Sequence, residues 1–76
     1  MIKTTDLQPG DVVRLSHYGV IDADYRRRLI ALGVTCGVEA RVVRRSPFGC
    51  PLEMQIRGLS LVIREDEASG LVWEYV

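Results

Sequence analysis

The chain alternates between two periods. LQPGDVVRLSHYG begins with a Pro-Gly turn signal, after which Val13 and Leu15 alternate with Arg14 and Ser16. A period of two predicts a strand with one buried face, and His17 continues the buried parity at its end. VIDADYRRRLIALGV then switches to the helical period, with Tyr25, Leu29 and Leu32 at i, i+4 and i+7 as its core stripe. Asp22 stands where an N-cap carboxylate accepts the free first-turn N–H groups. Asp24 adds negative charge at the positive end of the helix dipole. Gly33 suits the left-handed position after the last turn, and Val34 can then close against Leu29 in a Schellman stop.

Period two returns downstream. Val38, Ala40 and Val42 alternate with Glu39, Arg41 and Val43, and Leu52, Met54 and Ile56 with Glu53, Gln55 and Arg57. The intervening SPFGCP, with two prolines and a glycine, reads as a turn or short excursion. Gly58 breaks the second of these strands, and Leu59, Leu61 and Ile63 form the next apolar series. REDEA fits a single helical or 3₁₀ turn. Leu71 to Val76 is a final β-rich run. The expected fold class is mainly β: about five short strands, with one α-helix inserted after the first. Too few for two sheets, such strands lose most of their edges by curling, and an SH3-like barrel is the most economical form.

Length adds that 76 residues make a single domain over 1–76 with one small core. Ten basic and ten acidic residues give a net charge of zero, which argues against a protein that grips nucleic acid through its phosphates. No run approaches the roughly 18 apolar residues of a membrane span. No secretory h-region precedes the first strand, so a cytoplasmic setting is expected.

Candidate chemistry is sparse. His17, Cys36 and Cys50 are the only soft metal ligands, and they lie in three separate segments, so no metal site is expected and these three are weak candidates at most. No Walker-type phosphate loop is present. No catalytic residue, enzymatic activity or cofactor is expected. Among the helix arginines, Asp22 is placed to pair with Arg26 and Asp24 with Arg28 at i, i+4, which leaves Arg27 without a partner. Ile30 points about 140° from Tyr25, toward the polar side beside Arg26. An exposed Ile flanked by arginines is a candidate partner-binding patch. Val72, Trp73, Tyr75 and Val76 are a second candidate, since so small a chain has too little interior to bury both faces of its last strand. A nucleic-acid surface built from Arg27, Arg41, Arg44 and Arg45 is the rival reading.

LQPGDVVRL, YRRRLIALGVTCG, VVRRSPFGCPLEMQIRG and LSLVIREDEA, in that order and separation, resemble the FeoA family of bacterial ferrous iron transport proteins. The resemblance runs from Leu7 to about Val72. It implies a cytosolic SH3-like domain with no catalysis of its own, which acts with the FeoB membrane transporter and its GTP-hydrolysing domain, recruited to the inner face of the cytoplasmic membrane by that partner and not inserted into it. Self-association stays open. Similar domains fused to iron- or manganese-responsive repressors make a metal-sensing role a further alternative. On this reading Arg26, Arg27 and Ile30 face the partner, Leu29 and Leu32 support their helix, and Trp73 and Tyr75 are a second contact. The family commonly has proline where this chain has Cys36, and an acidic residue where it has Cys50.

Overall fold

A computed structural model describes residues 2–47 and 51–76. Six strands form one antiparallel sheet: β1 (Ile2–Lys3), β2 (Val12–His17), β3 (Glu39–Arg45), β4 (Leu52–Ile56), β5 (Leu59–Ile63) and β6 (Val72–Tyr75), in the order β1-β6-β2-β3-β4-β5. Helix α1 (Ala23–Ala31) follows β2, and one turn, α2 (Glu65–Ala68), follows β5. The mainly β expectation holds, with two corrections. Among the described residues there are six strands, because Ile2–Lys3 pairs with β6, and the helix follows the second strand. A two-residue strand is too short to carry any alternation, so periodicity could not reveal it.

Val13, Leu15, Val38, Ala40, Val42, Leu52, Met54, Ile56 and Ile63 all turn to one side of the sheet and are buried. Neither helix is large enough to form a second layer over them, so the sheet wraps its own core. Side chains tie the segment after β1 to α2, β3 and β6. Thr4, in a single 3₁₀ turn after β1, donates to the Ala68 carbonyl (2.8 Å) and accepts from the Trp73 indole N–H (3.0 Å), all out of contact with water. A buried hydroxyl that both donates and accepts stabilises the fold only if both bonds are made, and here they are. Arg45 adds a second clasp from β3, donating to the Leu7 carbonyl (2.6 Å) and to Glu65 at 2.8 Å. A third tight point is the close approach of the loops before α1 and β6: a Cβ on Gly19 would collide with the Gly70 carbonyl.

Helix α1 starts and stops for local reasons. The Asp22 carboxylate accepts from the N–H groups of Asp24 and Tyr25, both at 3.1 Å. At the other end Gly33, at φ +89°, donates to the Ile30 carbonyl and Val34 donates to that of Leu29, the two bonds of a Schellman stop. Tyr25, Leu29 and Val34 are buried. Leu32 is not; it is 47% exposed and falls outside the core stripe. It shares the face of Tyr25 and Leu29 and keeps the helical bond to Arg28, but the core does not cover the end of the helix, so the wheel gives its face and not its burial. His17 is also exposed. A register shift between Leu15 and His17 in the β2–β6 ladder interrupts the alternation that would have buried it.

Candidate functional site

The Leu32 flank of α1 faces the edge of the sheet. Between α1 and β5 lies a cleft of about 160 Å³ lined by Tyr25, Arg28, Leu29 and Leu32 on one side and Leu61, Val62 and Glu67 on the other. Leu32 and Val62 are its most open apolar side chains, Val62 being 59% exposed. Leu29, buried, carries the wall from below. Arg28 and Glu67 meet across the rim at 3.3 Å, and Arg28 also lies over the Tyr25 ring, 5.4 Å from its centroid. Both groups of that ion pair are well solvated, so it closes the rim loosely. Burial, then the nearby Glu67 and Asp66 carboxylates, push the Tyr25 phenol up to about 12 against the opposing pull of Arg28.

β5 contributes more than side chains. A two-residue turn, Arg57–Gly58, joins β4 to β5, with Ile56 opposite Leu59. In the alternation of an antiparallel ladder, Leu59, Leu61 and Ile63 then turn their N–H and C=O groups toward β4, and Ser60 and Val62 turn theirs outward. Among the described residues no strand lies beyond β5 in the sheet. An apolar cleft therefore borders an edge with free main-chain groups, the arrangement that accepts an added strand or an apolar side chain.

The residues expected to face a partner are split by this geometry. Arg26 and Ile30 lie on the opposite flank of α1, where Arg26 sits over the Tyr18 ring, 5.8 Å from its centroid, and Ile30 is 45% exposed. Burial and then Cys36 push the Tyr18 phenol up, against Arg26, and its hydroxyl donates to the Val34 carbonyl. The expected arginine pairing is corrected. Arg27 pairs with Asp24 at 3.1 Å, Arg28 reaches Glu67, and the Asp22 carboxylate is engaged at the cap. Trp73 is corrected as well: it is fully buried and presents nothing to a partner, while Tyr75, on the same strand, is 60% exposed. Trp73 is flanked by Ile2 of β1 and Leu15 of β2, whereas Tyr75 lies beyond the end of β1 and has a ladder partner on β2 alone.

Of the arginines in the nucleic-acid reading, Arg27, Arg44 and Arg45 are each held by a carboxylate and only Arg41 makes no ion pair among the described residues. Among the weak metal candidates, His17 and Cys36 are exposed and Cys50 lies outside the described residues. No group of three His, Cys, Asp or Glu side chains placed to hold a metal ion occurs among the described residues. No helix among them is long and apolar enough to cross a membrane. Leu61, Val62 and Glu67 were not foreseen as site residues. The signal was in LSLVI, where apolar residues occupy both parities, a pattern that marks a strand with apolar side chains on both faces.

The family model described as FeoA domain matches residues 4–74. Among solved structures the chain is similar to the FeoA protein of Chlorobium tepidum, with 31% identity and a TM-score of 0.89 over 99% of this chain and 70% of that one. It is similar also to Stenotrophomonas maltophilia FeoA, a prokaryotic SH3-domain protein solved with zinc, at 26% identity and a TM-score of 0.79 over 97% and 91% of the two chains. IdeR of T. acidophilum, at 19% identity and a TM-score of 0.85, shares the fold; this chain spans 99% of its own length and 34% of that protein. The fold is SH3-like, and the chain belongs to the FeoA domain family, which is associated with ferrous iron transport.

Proposed function

We propose that this FeoA-domain chain is a non-enzymatic accessory module of bacterial ferrous iron uptake. It works in the cytoplasm as a single domain over 1–76 and docks on the cytosolic part of a FeoB-type, GTPase-containing transporter, whose activity it modulates. The observation that carries the reading is the cleft between α1 and β5: an apolar trough with Leu32 and Val62 open to solvent, bordered by a strand edge that no other strand pairs among the described residues. The family's association with ferrous iron transport supports the identity of the partner. Arg26, Arg27 and Ile30, on the other flank, are a secondary contact in this reading, with Tyr75 further away.

The test is capture of the transporter's cytosolic region by the purified chain. Leu32→Asp and Val62→Asp change exposed side chains, so the fold should survive, as circular dichroism can check, while a charge in the cleft abolishes capture. Ile30→Asp and Arg27→Glu should weaken capture less. If both cleft variants remain folded and bind as the parent does, the cleft is not the docking site. Retention of the Leu32 and Val62 variants combined with loss of the Ile30 and Arg27 variants would move the site to the opposite flank.

A further inference from the structure

Away from this cleft, the outer face of the sheet carries a larger depression of about 320 Å³ lined by Val12, Glu39, Ala40, Arg41, Gln55, Arg57 and Gly58. Its chemistry is opposite in kind. The register sets Val12, Arg41 and Gln55 in one row across β2, β3 and β4, with Arg57 just beyond β4. Arg41 and Arg57 make no ion pair among the described residues, in contrast to Arg14, Arg27, Arg28, Arg44 and Arg45, each of which meets a carboxylate. Two guanidinium groups thus share one depression with the Gln55 amide and no carboxylate bound to either.

The backbone supplies an independent observation. Arg57 has φ +52°, the only positive φ of a non-glycine residue among those described. With Gly58 at φ +80° it forms a two-residue hairpin turn in which both positions are left-handed. Such turns favour Asn-Gly or Asp-Gly, because an L side chain with a Cβ is strained there. An arginine at the first position costs stability relative to asparagine, and a residue held in a disfavoured conformation points toward a role for its side chain.

We propose that this depression is an anion site that takes a phosphate group, bridged by Arg41 and Arg57, with Gln55 as a neutral donor. One guanidinium stands on β3 and the other on the turn after β4, in the same depression, and the several oxygens of a phosphate can accept from two guanidinium groups together. Glu39, in the same depression and opposite Arg14 in the ladder, repels the anion and limits its affinity. This site does not depend on the docking reading above and lies on other elements. The phosphate can be free or the end of a small phosphomonoester.

The test is NMR titration of the whole chain with inorganic phosphate, and separately with glycerol 3-phosphate, at constant ionic strength. Saturable shifts at Arg41, Gln55, Arg57 and Gly58 are expected with at least one probe, and the tighter probe identifies the source. Arg41→Gln should weaken binding about tenfold, as loss of a charge-assisted hydrogen bond does, and Arg57→Asn likewise. Glu39→Gln should tighten it. Arg57→Asn should at the same time raise the melting temperature, which separates loss of the site from loss of the fold. Shifts that fail to saturate, spread over all arginines alike, or persist in the Arg41→Gln/Arg57→Asn double variant would overturn the proposal.

Discussion

At the β1 end the sheet is sealed by side chains, whereas at the β5 end it stops with its backbone open. β1 is only two residues long, and the chain that follows it folds over so that Thr4 bonds both Trp73 and the Ala68 carbonyl. β5 is five residues long, exposes Leu59 and Val62, and faces α1 across a gap instead of packing against it. A long apolar edge is a hazard for aggregation unless something covers it. The asymmetry teaches that buried side-chain bonds and open main-chain edge lie at opposite ends of one small sheet, and on the docking reading the second is the binding end. A change that damages one end should leave the other working.

The largest effect is expected at the sealed end. Trp73→Ala removes the largest buried side chain at the centre of the core and should cost about 3–5 kcal/mol, the usual range for a buried aromatic truncation. Thr4→Val keeps shape but strands the Trp73 indole N–H, while the Ala68 carbonyl keeps the Leu71 N–H as its donor, and should cost about 1–3 kcal/mol. Urea unfolding measures both. If Thr4→Val were neutral, the relay would be a consequence of the packing and the β1 end would be sealed by apolar contact alone.

How much of each end was legible follows from the range of the forces involved. The helix could be read from cap to stop because Asp22, Gly33 and Val34 act within one turn of the residues they serve. β3 and β4 could be read because Val38, Ala40, Val42, Leu52, Met54 and Ile56 keep strict alternation against a single core. Thr4 could not, since its two partners lie 64 and 69 residues away. Nor could the partner of Arg28, which is 39 residues distant, or the burial of Trp73, which depends on β6 lying between two strands rather than at an edge. His17 stands where its strand leaves the alternation, whereas Leu32 keeps the helix face of Tyr25 and Leu29 and is exposed because the core ends before it. The cleft belongs to the same class, because only the packing of the chain sets Leu32 opposite Val62.

A pH experiment sharpens the comparison, because the open end carries a buried acid. Tyr25 lines the α1/β5 cleft, and its phenol is pushed up to about 12 in the folded chain, from 10.0 without the fold. The unfolded chain therefore loses this proton first as pH rises. Stability from this group is intact below pH 10 and falls between about 10 and 12. Tyr25→Phe removes the titrating group, so the fall over that interval should be shallower than in the parent, as urea midpoints at a series of pH values would show. An equally steep fall in Tyr25→Phe would mean that Tyr25 titrates as freely in the folded chain as in the unfolded one.

The smallest effect on the fold should come from Val62→Pro. Proline is excluded from interior strands because it has no N–H for the ladder, but it is tolerated on an edge where that N–H faces outward. The β4–β5 register directs the Val62 N–H away from β4, so its loss should break no hydrogen bond of the sheet. The side chain is mostly exposed, so truncation to the proline ring removes little buried area. The expected cost is below about 1 kcal/mol, set by the fit of the fixed φ to the strand. Capture of the partner should nevertheless fail if an added strand uses that N–H, and survive if the partner only inserts side chains between Leu32 and Val62. The pair of measurements therefore separates two forms of docking at the same cleft. A loss of stability comparable to that of Trp73→Ala would show that the Val62 N–H is engaged within the fold, and the contrast between a sealed end and an open one would be wrong.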